Sequence, residues 1–168
     1  STPTLYRLLA AELPGEARFS SIRRVVLGGE KCLRGDLETF RRHFPSDGLF
    51  VNGLGPSEST LALQFFAAPE TRVERETVPV GRPVIETGVE LRNAAGEQVA
   101  LYGTGEIVLR SRYLALGYWQ RPDLTALAFS PAEPGVRTYR TGDLGKMVAG
   151  REPGVRRPGR HPGQGAWS

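Results

Sequence analysis

The chain has one cysteine, two histidines and one methionine in 168 residues. A lone thiol, Cys32, excludes an internal disulfide framework, makes the cytoplasm the default setting and reads as a small packing residue. A zinc site or a Ser/His/Asp triad would need His43 or His161, and neither has suitable company. No apolar run approaches the roughly 18 residues of a membrane-spanning helix. Ser1 to Tyr6 lacks the basic start and apolar stretch of a signal peptide, and there is no initiator methionine, so a start inside a longer polypeptide is expected. No internal repeat is visible. The net charge of +4 invites a nucleic-acid reading. Yet Arg151, Arg156, Arg157 and Arg160 crowd one short stretch with a single acid, and the rest is nearly balanced. Without interleaved aromatics, that distribution argues against a nucleic-acid face.

The remainder is patterned for folding. Thr2 as N-cap and Pro3 at the first helical position open a helix with Leu5, Leu8, Leu9 and Leu13 on one face, ended by Pro14-Gly15. Ile22 to Leu27 suits a buried strand that stops at Gly28-Gly29. A helix from about Asp36, with Leu37, Phe40 and Phe44 on one side, ends by Pro45, and Leu49-Phe50-Val51 forms a strand ending at Asn52. Strand, helix, strand at this spacing predicts a parallel βαβ unit. After about Thr77 the pattern shortens: alternation at Val89–Leu91, a turn at Asn93–Gly96, alternation at Glu106–Arg110, a helix from Pro122, and a brief strand at Tyr139-Arg140. This predicts a small antiparallel sheet or distorted barrel. From Lys146 onward the chain is rich in Gly, Pro and Arg and poor in aliphatics, and disorder is expected.

Three segments carry chemistry. In Val51-Asn52-Gly53-Leu54-Gly55-Pro56-Ser57-Glu58-Ser59-Thr60, a strand end feeds a glycine loop that presents an amide, hydroxyls and a carboxylate. Such oxygens suit a phosphate with its Mg²⁺ ion, although a solvated polar loop explains the same residues equally well. The second is Gly103-Thr104-Gly105-Glu106 together with Gly117-Tyr118-Trp119-Gln120-Arg121-Pro122. The third is Tyr139-Arg140-Thr141-Gly142-Asp143-Leu144, whose aspartate could accept both hydroxyls of a ribose. Taken singly, Thr-Gly-Asp is an ordinary turn.

In this order the three segments resemble the core motifs of the adenylate-forming (AMP-binding) superfamily. Its loop reads approximately Asn-x-Tyr-Gly-Pro-Thr-Glu, its middle motif Gly-Glu-(Leu/Ile) through Gly-Tyr-Trp-x-Arg-Pro, and its third Tyr-Arg-Thr-Gly-Asp-Leu. Val26-Leu27-Gly28-Gly29-Glu30 is similar to a further family segment. The wording is closest to adenylation domains of nonribosomal peptide synthetases. The resemblance implies an α/β fold for residues 1–145, the C-terminal part of the large adenylation subdomain, with an α/β part over 1–76 and a mainly β part over 77–145. It implies ATP and Mg²⁺ as cofactors, and a reaction of carboxylate with ATP to acyl-adenylate and pyrophosphate. A small carboxylate or amino acid would be the substrate, and a carrier-protein domain bearing phosphopantetheine the partner. No nucleic acid and no membrane are expected.

Residue by residue, the resemblance makes Asn52 an adenine contact, Ser57 (threonine in the family) a phosphate contact, Glu58 the Mg²⁺ ligand and Asp143 the ribose clamp. Gly53, Leu54 and Gly55 complete the nucleotide loop, with Leu54 replacing a tyrosine that stacks on adenine. Val26, Gly28, Gly29, Gly53, Leu61 and Ala62 would line a small, apolar acyl pocket. The family's phosphate loop and its catalytic lysine have no counterpart here, since Lys31 and Lys146 stand in other contexts, so the chain alone is expected to be inactive. Back-translation with a one-base slip near Lys146 yields tryptophan, leucine, proline, aspartate and glycine, which resembles the family's hinge. Residues after about Gly145 are therefore expected to be out of frame, which the coding DNA tests. A fragment of an acyl-CoA or fatty acyl-adenylate ligase and a non-catalytic remnant remain as alternatives.

Overall fold

A computed structural model describes residues 1–148 together with the backbone of 166 and 167. Helix α1 (Pro3–Ala11) begins as expected: the Thr2 hydroxyl accepts from the Leu5 N–H at 3.4 Å, with Pro3 in the first turn. Its rotation is the reverse of the expected one. Pro3 and Tyr6 face inward, whereas Leu5, Leu8 and Leu9 are 61%, 62% and 54% exposed. A polar clamp sets this rotation. Arg7 forms a two-pronged pair with the buried Asp36 (2.8 and 2.7 Å) and donates to the Lys31 carbonyl at 2.9 Å, and Tyr6 donates to the Asp36 carbonyl at 3.3 Å. At 3.6 residues per turn, turning positions 6 and 7 inward turns 5, 8 and 9 out.

Asp36 belongs to α2 (Arg34–His43), where it also accepts from the Leu33 N–H at 2.7 Å and so holds the helix start. This helix crosses between β1 (Arg24–Gly28) and β2 (Leu49–Leu54), which pair in parallel and complete the expected βαβ unit. Leu37 and Phe40 are fully buried, and Phe40 lies 5.3 Å from Phe44 and 5.6 Å from Phe50 between ring centres. Burial pushes the Cys32 thiol up to about 12, so it stays protonated and serves as packing. β1 alternates rather than lying buried throughout, with Val25 and Leu27 inside and Val26 outside.

The first sheet continues through β3 (Leu63–Ala67) and β4 (Arg82–Pro83), both antiparallel to their neighbours, in the order β1-β2-β3-β4. β3 was not expected. Its run Leu-Gln-Phe-Phe-Ala has neither a two-residue nor a helical period, because both ends are buried and the middle is half-covered.

The second sheet is antiparallel, in the order β5 (Thr87–Arg92), β6 (Thr104–Ser111), β8 (Val136–Val148), β7 (Phe129–Glu133). Helix α3 (Pro122–Ala128) leads into β7. Asn93 makes the expected turn, its side-chain oxygen accepting from the N–H groups of Ala95 and Glu97 at 2.9 and 3.0 Å. Leu63 of the first sheet and the preceding Ala62 share one core with Leu91, Ile107, Leu109, Leu114, Phe129 and Tyr139. That common core fixes one sheet against the other.

The last strand corrects the expectation for the tail. Lys146–Val148 are not disordered but end β8, and Met147 and Val148 pair with β9 (Ala166–Trp167). The rest of the expected disorder, 149–165 and 168, lies outside the described residues. Among the described residues no helix is long and apolar enough to cross a membrane.

Candidate functional site

The loop between β2 and β3 forms because its glycines allow backbone to pass close to backbone. A Cβ on Gly55 would collide with the Thr60 carbonyl oxygen and sit 2.8 Å from the Leu61 Cα. The loop closes through the Ser59 N–H on the Pro56 carbonyl (3.0 Å) and the Ala62 N–H on the Leu54 carbonyl (2.8 Å). Thr60 adopts a left-handed φ of 56° at the reversal. Ser57 is left exposed at the tip and Glu58 half-buried beside it.

Glu58 is held from outside its loop. The Tyr118 hydroxyl donates to its Oε1 at 2.7 Å, and the Ala115 N–H donates to its backbone carbonyl at 2.7 Å. The Tyr118 hydroxyl, helped by that of Tyr139, holds the Glu58 carboxyl below the usual carboxylate range. The same contact raises the Tyr118 hydroxyl, while burial raises that of Tyr139, so both remain donors.

The Thr141-Gly142-Asp143 segment is an irregularity built into β8. Arg140 pairs with Val108 and Leu144 with Glu106, so three residues stand opposite Ile107 alone. Gly142 takes the bend with φ at 76°. The bend is pinned on both sides. The Thr141 hydroxyl donates to the Ile107 carbonyl at 2.8 Å and accepts from the Asp143 N–H at 3.0 Å. The Glu106 carboxylate accepts from Arg140 (2.9 and 2.6 Å) and from the Gly142 N–H (3.1 Å). Asp143 is left exposed on a fixed backbone.

The other anticipated residues divide. Asn52 is buried, and its amide nitrogen donates to the carbonyls of Val78 (3.2 Å) and Pro79 (2.9 Å). Both N–H bonds of that amide are therefore committed to the backbone, and only Oδ1 is left to accept from a base. Leu54 packs partly against the second core. Gly28 pairs with Gly53 in register, close enough that a Cβ on Gly28 would stand 2.9 Å from the Gly53 oxygen. Gly29 follows with φ at 82°. Val26 and Leu61 are exposed, but Ala62 is wholly inside the second core and presents no surface. Tyr118, Tyr139 and Glu106 were given no role from sequence. All three lie in the quoted motifs, but nothing in the spacing says that Tyr118 meets a carboxylate 60 residues away.

Among the described residues no three His, Cys, Asp or Glu side chains gather into a metal site. Glu58 could hold a cation only together with oxygens from elsewhere. That fits Mg²⁺, which binds through one or two carboxylates plus water and substrate phosphate.

A family model described as AMP-binding enzyme matches residues 1–119. Bacitracin synthase 1 of Bacillus licheniformis is 35% identical over 132 residues, covering 77% of this chain and 2% of that protein. Surfactin synthase subunit 2 of Bacillus subtilis (strain 168) is 34% identical over 156 residues, covering 88% of this chain and 4% of that protein. Among solved structures, PA1221, an NRPS protein containing adenylation and PCP domains, superposes with a TM-score of 0.74 at 27% identity, covering 88% of this chain and 30% of that one. CmiS6 superposes at 0.78 and 26% identity, covering 100% and 38%. The chain thus spans a small part of each relative it matches. It belongs to the AMP-binding enzyme family and has the fold of part of an adenylation domain of the nonribosomal peptide synthetase kind.

Proposed function

We propose that residues 1–145 contribute the nucleotide-side wall of a centre that activates a carboxylate, in a peptide synthetase an amino acid, as its adenylate with release of pyrophosphate. Ser57 binds a phosphate oxygen, Glu58 holds Mg²⁺ at the phosphates, Asp143 accepts from the ribose diol, and Asn52 offers Oδ1 to the adenine amine. Val26, Gly28, Gly29, Gly53 and Leu61 border the acyl side. The ion, when bound, supplies charge neutralisation at the phosphates. The protein's own share is positioning and fixed electrostatics, so that a carboxylate oxygen can approach the α-phosphorus in line. The acyl group then passes to the phosphopantetheine thiol of a carrier domain. Residues 146–168 take no part in this chemistry.

One observation carries the reading: the Tyr118 hydroxyl on the Glu58 carboxylate (2.7 Å) and the ring contacts of Tyr118 with Phe129 and of Phe129 with Tyr139 (5.7 and 4.8 Å between centres) tie the loop to β8, and Asp143 stands four residues beyond Tyr139 on that strand. At about 3.3 Å per residue those four span at most roughly 13 Å. A phosphate-side carboxylate and a ribose-side carboxylate are therefore anchored to one frame. The test is equilibrium binding of ATP with Mg²⁺ to the full chain and to Glu58→Gln and Asp143→Asn. Hydrogen bonds involving a charged group contribute about 1.5–3 kcal/mol, so each variant should bind roughly ten- to hundredfold more weakly. Equal affinity in all three would refute the assignment, and absence of binding would favour a non-catalytic remnant. Amino-acid-dependent exchange of pyrophosphate by the chain alone would refute its expected inactivity.

A further inference from the structure

We infer that Tyr118 is a positioning residue for Glu58, through which the core of the second sheet aims the metal-binding carboxylate of a loop that belongs to the first. The inference rests on the nucleotide-binding reading above and extends it to residues outside the loop.

The loop alone restrains Glu58 poorly. It is closed by backbone bonds at Ser59 and Ala62, neither of which touches the Glu58 side chain. A glutamate has three rotatable side-chain bonds and loses free energy when a single arrangement is selected. The segment at 115–118 makes that selection by grasping Glu58 twice, at its backbone carbonyl from Ala115 and at Oε1 from Tyr118, both at 2.7 Å.

Tyr118 is a stiff support. Its N–H donates to the Thr125 hydroxyl at 2.9 Å, and that hydroxyl donates to the Arg121 carbonyl at 2.9 Å. Its ring meets Phe129 edge-on with centres 5.7 Å apart, and Phe129 lies 4.8 Å from Tyr139. Phe129 and Tyr139 are both buried in the core that the two sheets share. Tyr118 thus carries its hydroxyl on a ring packed against the core of the second sheet and aimed at a carboxylate in a loop of the first. A carboxylate has two acceptor oxygens. With Oε1 taken by Tyr118, Oε2 is the oxygen left to face a cation, and its direction is set by the ring rather than by the loop. The Gly-Tyr-Trp wording and the glycine loop thereby form one device, although Tyr118 and Glu58 are 60 residues apart.

The experiment uses the full chain as wild type and Tyr118→Phe. The phenylalanine keeps the ring and removes only the hydroxyl, and thermal melts confirm the fold. ATP affinity is measured with Mg²⁺ and with chelator. The wild type should gain affinity from Mg²⁺. Tyr118→Phe should lose about tenfold of that gain, as expected for one hydrogen bond to a charged group, with affinity in chelator unchanged. A merely structural role would weaken both conditions alike. A Tyr118→Phe chain with the full wild-type gain overturns the inference. If the wild type gains nothing from Mg²⁺, the nucleotide reading falls instead, and the tether is judged by side-chain couplings of Glu58 measured by NMR. One rotamer in the wild type and averaging in Tyr118→Phe sustains it, and identical couplings in both overturn it.

Discussion

Replacing Gly55 by alanine should separate the loop's shape from the stability of the sheets that carry it. The added Cβ meets the Thr60 carbonyl oxygen and the Leu61 Cα, backbone atoms that cannot swing aside as a side chain would. The reversal must open by about 1 Å, and Ser57 and Glu58 lie between the two colliding points. Overpacking of this kind costs about 1–3 kcal/mol. For a chain of this length each kcal/mol lowers Tm by about 2–4 °C, so a fall of roughly 2–12 °C is expected. Losing alignment of even one charged contact adds a roughly ten- to hundredfold loss of affinity for ATP with Mg²⁺. Gly15→Ala is the control, because nothing lies within 4 Å of a Cβ there. Calorimetric melts and nucleotide titrations on the two variants give both readouts. A Gly55→Ala chain with wild-type Tm would refute the steric argument. One that melts earlier yet binds ATP normally would refute the link between this loop and the nucleotide.

Local rules reached some elements and missed others for identifiable reasons. The Thr2-Pro3 helix start, the parallel pair around α2 and the Asn93 turn follow from interactions within a few residues, and all three are present. The facing of α1 does not, because an apolar stripe is only a tendency and Arg7 with Tyr6 is fixed by Asp36, about thirty residues on. β7 was invisible because Ser130-Pro131-Ala132-Glu133 is an exposed edge strand where proline is tolerated. β8 read as two residues and runs for thirteen, because the irregularity at Thr141–Asp143 breaks its alternation. At the site, sequence pointed to Ser57, Glu58 and Asp143, which the structure leaves exposed or half-exposed. It could not show that Asn52 has spent its amide nitrogen on the backbone, that Ala62 is sealed in the core, or that Tyr118 reaches Glu58. Each of those is a long-range contact without a spacing rule.

Two further expectations follow from the same contacts. Glu30 accepts from the Thr4 N–H (3.0 Å) and hydroxyl (2.5 Å) at the start of α1, and the Thr4 hydroxyl chiefly holds its carboxyl below the usual range. A lowered carboxyl stabilises above its unfolded value, about 4.3, and the contribution vanishes as pH falls through the folded value. Urea midpoints of wild type and Glu30→Gln should therefore differ at pH 7 and converge near pH 3, and a gap that persists in acid would refute the assignment. The second concerns Glu106, which accepts with one oxygen from Arg140 and with the other from the Gly142 N–H, and so sets the bend that presents Asp143. In Glu106→Gln one oxygen becomes an NH₂ group, which cannot accept. Either the arginine or the bend loses its partner, and Asp143 is freed without being touched. If Asp143 reads the ribose diol, the wild type should prefer ATP over 2′-deoxy-ATP, and Glu106→Gln should shrink that preference while retaining most of the Mg²⁺-dependent gain at Glu58. An unchanged preference would mean that the bend does not aim Asp143 at the sugar, and a loss of the Mg²⁺ gain as well would mean that the two carboxylates are not separately supported.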